Sequence, residues 1–336
     1  MMIPKFVKAK GSFHAELKTR VNAYFDKVKT IRTGNFKLYS KALFITISFL
    51  MVYAHLIFFA NDLLALHNIW INIMLIAECI VLAGLTSAIG FNIMHDGAHG
   101  SFSSKKWVND LAGVSLNFLG GNVFMWKAKH NVVHHTFTNI ADVDDDIDAK
   151  PFLRLCEDQK RYKMHRYQHY YFLFAYSLLY LYWIVVTDYK KYFTGKVGQV
   201  KFQKMPIPQH FSFWSFKAVH ILLFAILPIF MIGFLPWLVG FLIYVAFTGI
   251  ILSVVFQLAH TVKETQFPKQ DALTGMVEDE WAIHQLKTTA NFATKSRFWI
   301  WFTGGLNFQV EHHLFPNISH VHYPAISKIV KSVCEE

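Results

Sequence analysis

Residues 69–92 read IWINIMLIAECIVLAGLTSAIGFN, and after Ile93 and Met94 the chain continues His95-Asp-Gly-Ala-His99. The first stretch exceeds the roughly 20 apolar residues that a helix needs to cross a bilayer. Its only carboxyl is Glu78. The second stretch sets two imidazoles four residues apart, just where that helix leaves the apolar phase. A helix turns once in about 3.6 residues, so His95 and His99 face the same way. A spanning helix that ends in paired metal-type ligands sets how the rest of the chain is read.

Three other stretches are long and apolar enough to span, at about 42–60, 218–235 and 238–258, and 111–126 and 170–186 are borderline. The composition agrees. Of 336 residues, 54% are hydrophobic, 17% aromatic and only 16% charged, and the mean hydropathy is +0.29. A soluble domain carries about a quarter charged residues, which argues against a soluble enzyme and excludes a disordered chain. Cys79, Cys156 and Cys334 form no CxxC pair, so neither a disulfide framework nor a thiolate zinc site is expected. The first ten residues lack the apolar core of a cleavable signal peptide.

The net charge of +11 could suggest nucleic acid, but its distribution says otherwise. Ten Lys and Arg precede the first span, ten lie in residues 92–169, six in 187–217 and seven after 258. The loop 61–68 and the turn Pro236–Trp237 have none. Two helical hairpins with both ends cytoplasmic satisfy the positive-inside rule without exception. A span at 170–186 would break that parity, so this stretch is read as interfacial. Residues 1–41 are read as a basic cytoplasmic arm with an amphipathic helix, ahead of a membrane domain at 42–336, and 187–209 as the one linker-like run. The expected fold is an all-α integral membrane protein of four transmembrane helices under a cytoplasmic helical cap. No nucleic-acid partner is expected.

Seven of the 18 histidines fall in three compact boxes, His95-Asp-Gly-Ala-His99, His130-Asn-Val-Val-His134-His135 and Gln309-Val-Glu-His312-His313. On an α-helix His130 and His134 would converge as His95 and His99 do. The adjacent pairs His134-His135 and His312-His313 cannot both face one point, but they can serve two metals side by side. Seven imidazoles also exceed the three that a catalytic zinc takes, so the count suggests a dinuclear site. There is no HExxH and no Glu-x-x-His pair, which argues against a zinc protease and a carboxylate di-iron bundle. All three boxes fall on the side that the Lys and Arg distribution makes cytoplasmic. His260, just past the last span, is placed to reach the same centre as an eighth ligand. His284, His320 and His322 are left as supporting or surface residues. Asp96 and Glu311 are candidates to accept the second N–H of a metal-bound histidine. Asp144, Asp145 and Asp146 read as a solvated turn. Glu78, about 25 Å of helix from His95, reads as a protonated hydrogen-bonder between helices.

These boxes resemble those of the membrane fatty acid desaturase family, in order, spacing and position relative to the spans, over about residues 40–330. Gly304-Gly-Leu-Asn-Phe-Gln309-Val-Glu-His-His-Leu-Phe-Pro316 is most similar to front-end and linoleoyl-CoA-type desaturases, which have Gln at the start of the third box. The resemblance implies a di-iron centre held by His95, His99, His130, His134, His135, His312 and His313, with His260 matching the isolated ligand after the fourth span. Gln309 stands where relatives have a ligand. The implied reaction is O2-dependent insertion of a cis double bond into a fatty acyl chain carried by CoA or a lipid. Many eukaryotic members carry a fused cytochrome b5 domain with an HPGG motif, which this sequence lacks. Electrons are therefore expected from a separate carrier, cytochrome b5 or a ferredoxin with its reductase. The acyl tail is expected in a tunnel between the spans, with Trp126 and the aromatic run Phe298–Phe302 as lining candidates, although core packing is the plainer role for each. Two alternatives stand beside this one. The first is a hydroxylase of the same superfamily acting on a lipid, alkane or carotenoid, and the second is a non-catalytic metal-binding protein or transporter.

Overall fold

A computed structural model describes residues 3–7, 13–198, 200–201 and 204–336, most of them helical. A first helix, α1 (Phe13–Val28), precedes two long ones, α2 (Phe36–Leu64) and α3 (Ile69–His99). After them come α4 (Lys106–Phe118) and the short α5 (Val123–Lys127), then α6 (Lys163–Thr194), α7 (Ile207–Ile232) and α8 (Phe234–His260). The C-terminal part holds α9 (Trp281–Thr288), α10 (Arg297–Phe302), α11 (Gln309–Leu314) and α12 (Tyr323–Glu335). Strands are minor: β1 (Lys5–Phe6) pairs in parallel with β4 (Met276–Val277), and β2 (Lys196–Val197) pairs antiparallel with β3 (Val200–Lys201).

Five helices, α2, α3, α6, α7 and α8, are long and apolar enough to cross a membrane. The sequence reading had four, and the additional candidate is the interfacial stretch 170–186, now the middle of α6. The long helices begin where capping chemistry puts them. The Asn35 side chain accepts from the Lys37 N–H at 3.0 Å and that of Asn68 from the Trp70 N–H at 2.8 Å, each satisfying a donor that the first turn leaves free. The second hairpin turns at Gly233, with φ at +83°, rather than at Pro236–Trp237 as expected. Glycine takes that backbone conformation without strain, and Pro236 sits in the first turn of α8, where its missing N–H costs nothing.

The expected linker 187–209 also shrinks, because α6 runs to Thr194 and α7 starts at Ile207. Lys217 does not end α7 because its charge is matched inside the protein. Its Nζ donates to the carbonyls of Gly120 (2.6 Å) and Ile184 (2.9 Å) and to Asp188 Oδ2 (3.1 Å).

The spans share an apolar core that includes Ile45, Leu82, Ala83, Phe224 and Tyr244. Some polar groups among the spans pair with one another. Glu78 accepts from His55 Nδ1 at 2.9 Å, linking α3 to α2 as an interhelical hydrogen bond. Tyr244 and Thr86 meet at 3.1 Å. On α1, Leu17, Val21 and Phe25 repeat every four residues and pack with Leu314, Tyr323, Ile326 and Val330. The amphipathic helix of the arm therefore buries its apolar stripe against the C-terminal helices.

Gly304, between α10 and α11, has φ at +59°, and a Cβ there would stand 2.5 Å from the carbonyl oxygen of Phe91. Gly304→Ala is expected to cost about 1–3 kcal/mol in backbone strain alone, with a clash against rigid backbone added. A thermal melt in detergent should show a clearly lower midpoint. Gly84→Ala, whose Cβ meets nothing within 4 Å, should melt like the unaltered protein.

Candidate metal centre

The first box lies at the end of α3, where a π-helical turn, Gly90–Met94, precedes it. That turn is closed by the His95 N–H donating to the Gly90 carbonyl, and Gly100, with φ at +76°, ends the helix after His99. The His95 and His99 rings are 4.7 Å apart between centroids, as their spacing requires.

The second box differs from the helical expectation. Ala128–His134 is a π-helix, and the His135 N–H donates to the His130 carbonyl, five residues back. The wider turn aligns residues five apart rather than four, a geometry found mostly as single turns at functional sites. His130 therefore faces His135, Nε2 to Nε2 at 3.2 Å. His134 stacks on His130 at 5.1 Å and also faces His260 and His313, at 4.6 and 5.0 Å between ring centroids.

Two groups hold seven of the eight histidines, and two smaller ones, His135-His312-His313 and His130-His134-Asp146, overlap them. His95, His99, His130 and His312 bring one ring nitrogen each within 4.8 Å of one another, and His134, His260 and His313 do the same. His135 lies between them, 4.7 Å from the His99 ring and 4.3 Å from the His313 ring. Each adjacent pair, His134-His135 and His312-His313, is thus divided between neighbouring positions. All eight histidines are brought together, from α3, the π-helix after α5, α8 and α11.

The donor set fits metal ions on three observations. First, His95 Nε2, His99 Nε2, His134 Nε2, His135 Nδ1, His312 Nε2 and His313 Nε2 are buried with no hydrogen-bond partner. Leaving such atoms bare is costly, and coordination would satisfy them. Second, several of the rings are engaged at the opposite nitrogen. His134 Nδ1 donates to Asp144 (2.9 Å), His313 Nδ1 to Gln285 Oε1 (2.7 Å) and His260 Nδ1 to the Thr288 carbonyl (3.3 Å), while His312 Nδ1 meets Tyr323 Oη at 3.2 Å. A donated Nδ1–H leaves the Nε2 lone pair free for a metal. Third, the imidazoles outside the spans are mostly held neutral, the form that coordinates. Burial pushes His135, His312 and His313 well below the usual histidine range, and neighbouring imidazoles add to it. Burial also takes His130 down to about 4, against the pull of Asp146. His134 differs: burial disfavours its charge, but the Asp144 carboxylate outweighs that and raises it.

The carboxylates do not all sit where the sequence suggested. Asp96 Oδ2 accepts from His320 Nδ1 (2.9 Å) and the Ser319 hydroxyl (3.1 Å), and His320 Nε2 meets Lys41 Nζ at 2.8 Å. Asp96 thus braces His320 rather than a box histidine. Glu311 accepts from Asn291 at 2.8 Å, again away from the rings. Asp144 is not solvated but 1% exposed, with Asp145 facing Lys191 at 3.5 Å and Asp146 facing Lys129 at 2.5 Å. The reason is local: Asp144 also accepts from the Asn139 N–H, which folds the loop back onto His134.

Gln309 Nε2 lies 2.9 Å from His260 Nε2, and its Oε1 is buried without a partner. It therefore points into the second group. Trp126 is half-buried and stacks on His130 at 4.3 Å. His284 is buried against Phe6 and bonds the Thr138 carbonyl, and His322 packs on Phe25, both away from the two groups. Tyr323, Gln285, Thr288 and Asn139 were missed in the sequence, since nothing in their spacing singles them out. Phe298, Trp299 and Trp301 are exposed, so core packing does not hold for them, and only Phe302 turns inward, onto Phe91.

Fold and site together define a class: a helical, multi-pass membrane protein with a buried, all-imidazole cluster suited to two adjacent metal ions. Comparison with known families agrees. The Fatty acid desaturase family model matches residues 71–336, and the chain belongs to that family. It is 36% identical to the sn-1 linoleoyl-lipid 6-desaturase of Arthrospira platensis, over 96% of this chain and 85% of the relative. It is 34% identical to the enzyme of the same description from Synechocystis sp., over 99% of this chain and 90% of that one. The acyl-lipid (8-3)-desaturase of Physcomitrium patens is 36% identical over 96% of this chain and 66% of its own length. The protein is a fatty acyl desaturase, an oxidoreductase acting in a membrane.

Proposed function

We propose that the protein desaturates the acyl chain of an intact membrane lipid at a di-iron centre. One iron would be held by His95, His99, His130 and His312, the other by His134, His260 and His313, with His135 between them. The observation that carries this is the gathering of eight imidazoles, six of them with a buried, unpartnered ring nitrogen and several held by a hydrogen bond at the opposite edge. When bound, the irons and O2 supply the oxidant needed to break an unactivated methylene C–H bond. The chain's own residues hold the tautomers, keep most of the imidazoles neutral and exclude water by burial. Trp126, stacked on His130, is the aromatic surface placed beside the acyl chain. Its relatives' description as acyl-lipid desaturases supports a lipid rather than a thioester carrier. Electrons come from a separate one-electron carrier, cytochrome b5 or a ferredoxin with its reductase.

Four spans, with both ends and the histidines on the cytoplasmic side, remain the reading that fits the charges. The contacts at the two ends of α6 support it, although its middle packs on α8, with Tyr180 Oη 3.4 Å from Tyr244 Oη. Near its start, His165 Nε2 bonds the Pro151 carbonyl (2.7 Å) and Tyr171 Oη the Phe152 carbonyl (2.9 Å). Near its end, Lys191 faces Asp145, beside the Asp144 that holds His134. Both ends of α6 are thus tied to the loop that carries the second box, which suits a helix lying in the interface. The apolar cavity of about 340 Å³ between the spans is lined by Leu82, Gly240 and Tyr244. Leu82 and His95 are 13 residues apart, about 20 Å of helix, so that cavity lies well below the centre.

The test is a fatty-acid profile with double bonds located by mass spectrometry, in cells expressing the protein and fed mono- and diunsaturated acids. A new unsaturated species bound in membrane lipid is expected. A hydroxylated species instead would make the protein an oxygenase, and metal-free purified protein would undo the di-iron reading.

A further inference from the structure

The helix α10 is short, yet none of its six residues is buried: Phe298 is 60% exposed, Trp299 40% and Trp301 38%. Its level in the molecule is fixed by three contacts. The Trp301 carbonyl lies 3.4 Å from Lys41 Nζ, the Trp301 ring packs edge-on to Phe44 at 6.1 Å, and Phe302 packs edge-on to Phe91 at 6.1 Å. Lys41 and Phe44 are at the start of α2 and Phe91 is four residues before His95, so α10 lies at the histidine-side edge of the apolar layer. Arg297 is one helical turn from Trp301, and Lys37 one turn from Lys41, so each shares a face with its partner. Among the described residues, no carboxylate pairs with Arg297, Lys37 or Lys295. Inward from Phe302 its ring joins the apolar cluster of Phe91, Val255, Leu306, Ile251 and Leu252, while its carbonyl accepts from Asn92 Nδ2 at 2.9 Å. That cluster adjoins the ligands, since Leu306 precedes Gln309 by three residues and Val255 precedes His260 by five.

We propose that α10 and the Lys37–Phe44 edge of α2 are the docking surface through which an anionic glycerophospholipid reaches the centre sideways from the bilayer. Its phosphate lies between Arg297 and Lys37, its glycerol on Trp299 and Trp301, and its acyl chain passes over Phe302 and Phe91. Charge complementarity selects this occupant: unpaired cations beside exposed indoles match a lipid whose head is anionic and whose tails are apolar. Indole rings favour that boundary because one edge is apolar and the other polar. A belt of interfacial aromatics would anchor the protein without leading anywhere, whereas this one continues into the packing around Phe91. The inference rests on the desaturase acting on lipid-bound chains.

The experiment uses the iron-loaded protein with its electron donor, reconstituted in vesicles of phosphatidylglycerol or phosphatidylcholine carrying the same acyl chains. Product formation is read by mass spectrometry against substrate fraction. The unaltered protein is expected to show the lower KM for phosphatidylglycerol. A cation beside an anionic head group is worth about 1 kcal/mol, or about fivefold in KM at tenfold per 1.4 kcal/mol. Arg297→Gln and Lys37→Gln should each raise that KM about fivefold, and the KM for phosphatidylcholine, whose choline cation offsets its phosphate, by less, with kcat and iron content unchanged. Trp299→Ala with Trp301→Ala should raise the KM for both lipids, and Trp70→Ala, exposed at the start of α3, for neither. Equal KM values for the two lipids, or an equal effect of Trp70→Ala, would overturn the docking surface. Turnover of acyl-CoA but of neither lipid would also overturn it, while leaving the desaturase assignment in place.

Discussion

Replacing His313 with alanine is expected to yield a protein that inserts in the membrane, loses metal from the second group and makes no detectable unsaturated product. His313 offers a ring nitrogen alongside those of His134 and His260, and its Nδ1–H is held by Gln285 at 2.7 Å. Removing a residue that merely orients a ligand costs about 10–100-fold in metal affinity, so removing the ligand itself should exceed that range. His99→Ala should be equally inactive through the first group, where it meets His95, His130 and His312. The two variants empty different positions. Each should keep metal in the group it does not disturb, so purified protein should hold about half the iron of the unaltered chain. Both should melt at a lower temperature, because a metal that binds only the folded chain stabilises it by mass action. Full product formation in either variant would remove that histidine from the site.

Much of this site is visible in the sequence because its chemistry demands one residue type at short spacing. Histidine is the residue whose clustering at helical intervals has few explanations besides metal, and the spans announce themselves by length. The division of ligands between two positions was visible only in part. The adjacent pairs His134-His135 and His312-His313 required it, yet the π-helix that pairs His130 with His135 leaves no mark in composition or period. The supporting groups were harder still. Asp144 stands in a run of three aspartates that reads as a wet turn, and only the fold buries it under His134. Asp96 adjoins a ligand in sequence, but adjacent residues on a helix face apart, and it braces His320 instead. Lys217 misled in the other direction: a charge normally ends a span, but here two carbonyls and Asp188 take it inside. Hydropathy sees the residue and not its partners.

Asp144 provides a second large effect, through His134 alone. Its Oδ2 accepts from His134 Nδ1 and from the Asn139 N–H, both at 2.9 Å, and the carboxylate is 1% exposed. In Asp144→Ala the Asn139 N–H loses that acceptor in a place water does not reach, at about 1–3 kcal/mol for a buried group left unpaired, and His134 Nδ1 keeps only Asp146 Oδ2, at 3.5 Å. The imidazole also loses the contact that fixes its tautomer, so Nε2 is no longer held as the lone-pair nitrogen facing His260 and His313. Iron affinity in the second group should fall about 10–100-fold, and the first group, whose four histidines do not touch Asp144, should retain its metal. Asp144→Asn keeps an acceptor oxygen for the Nδ1–H and should recover most of that affinity. Removing the charge without the hydrogen bond thus distinguishes orientation of the ring from electrostatic attraction. Titration with a chelator, following iron per chain, gives the comparison directly. If Asp144→Ala held iron as tightly as the unaltered protein, His134 would be oriented by packing alone. If Asp144→Asn were as weak as Asp144→Ala, the carboxylate would act through its charge.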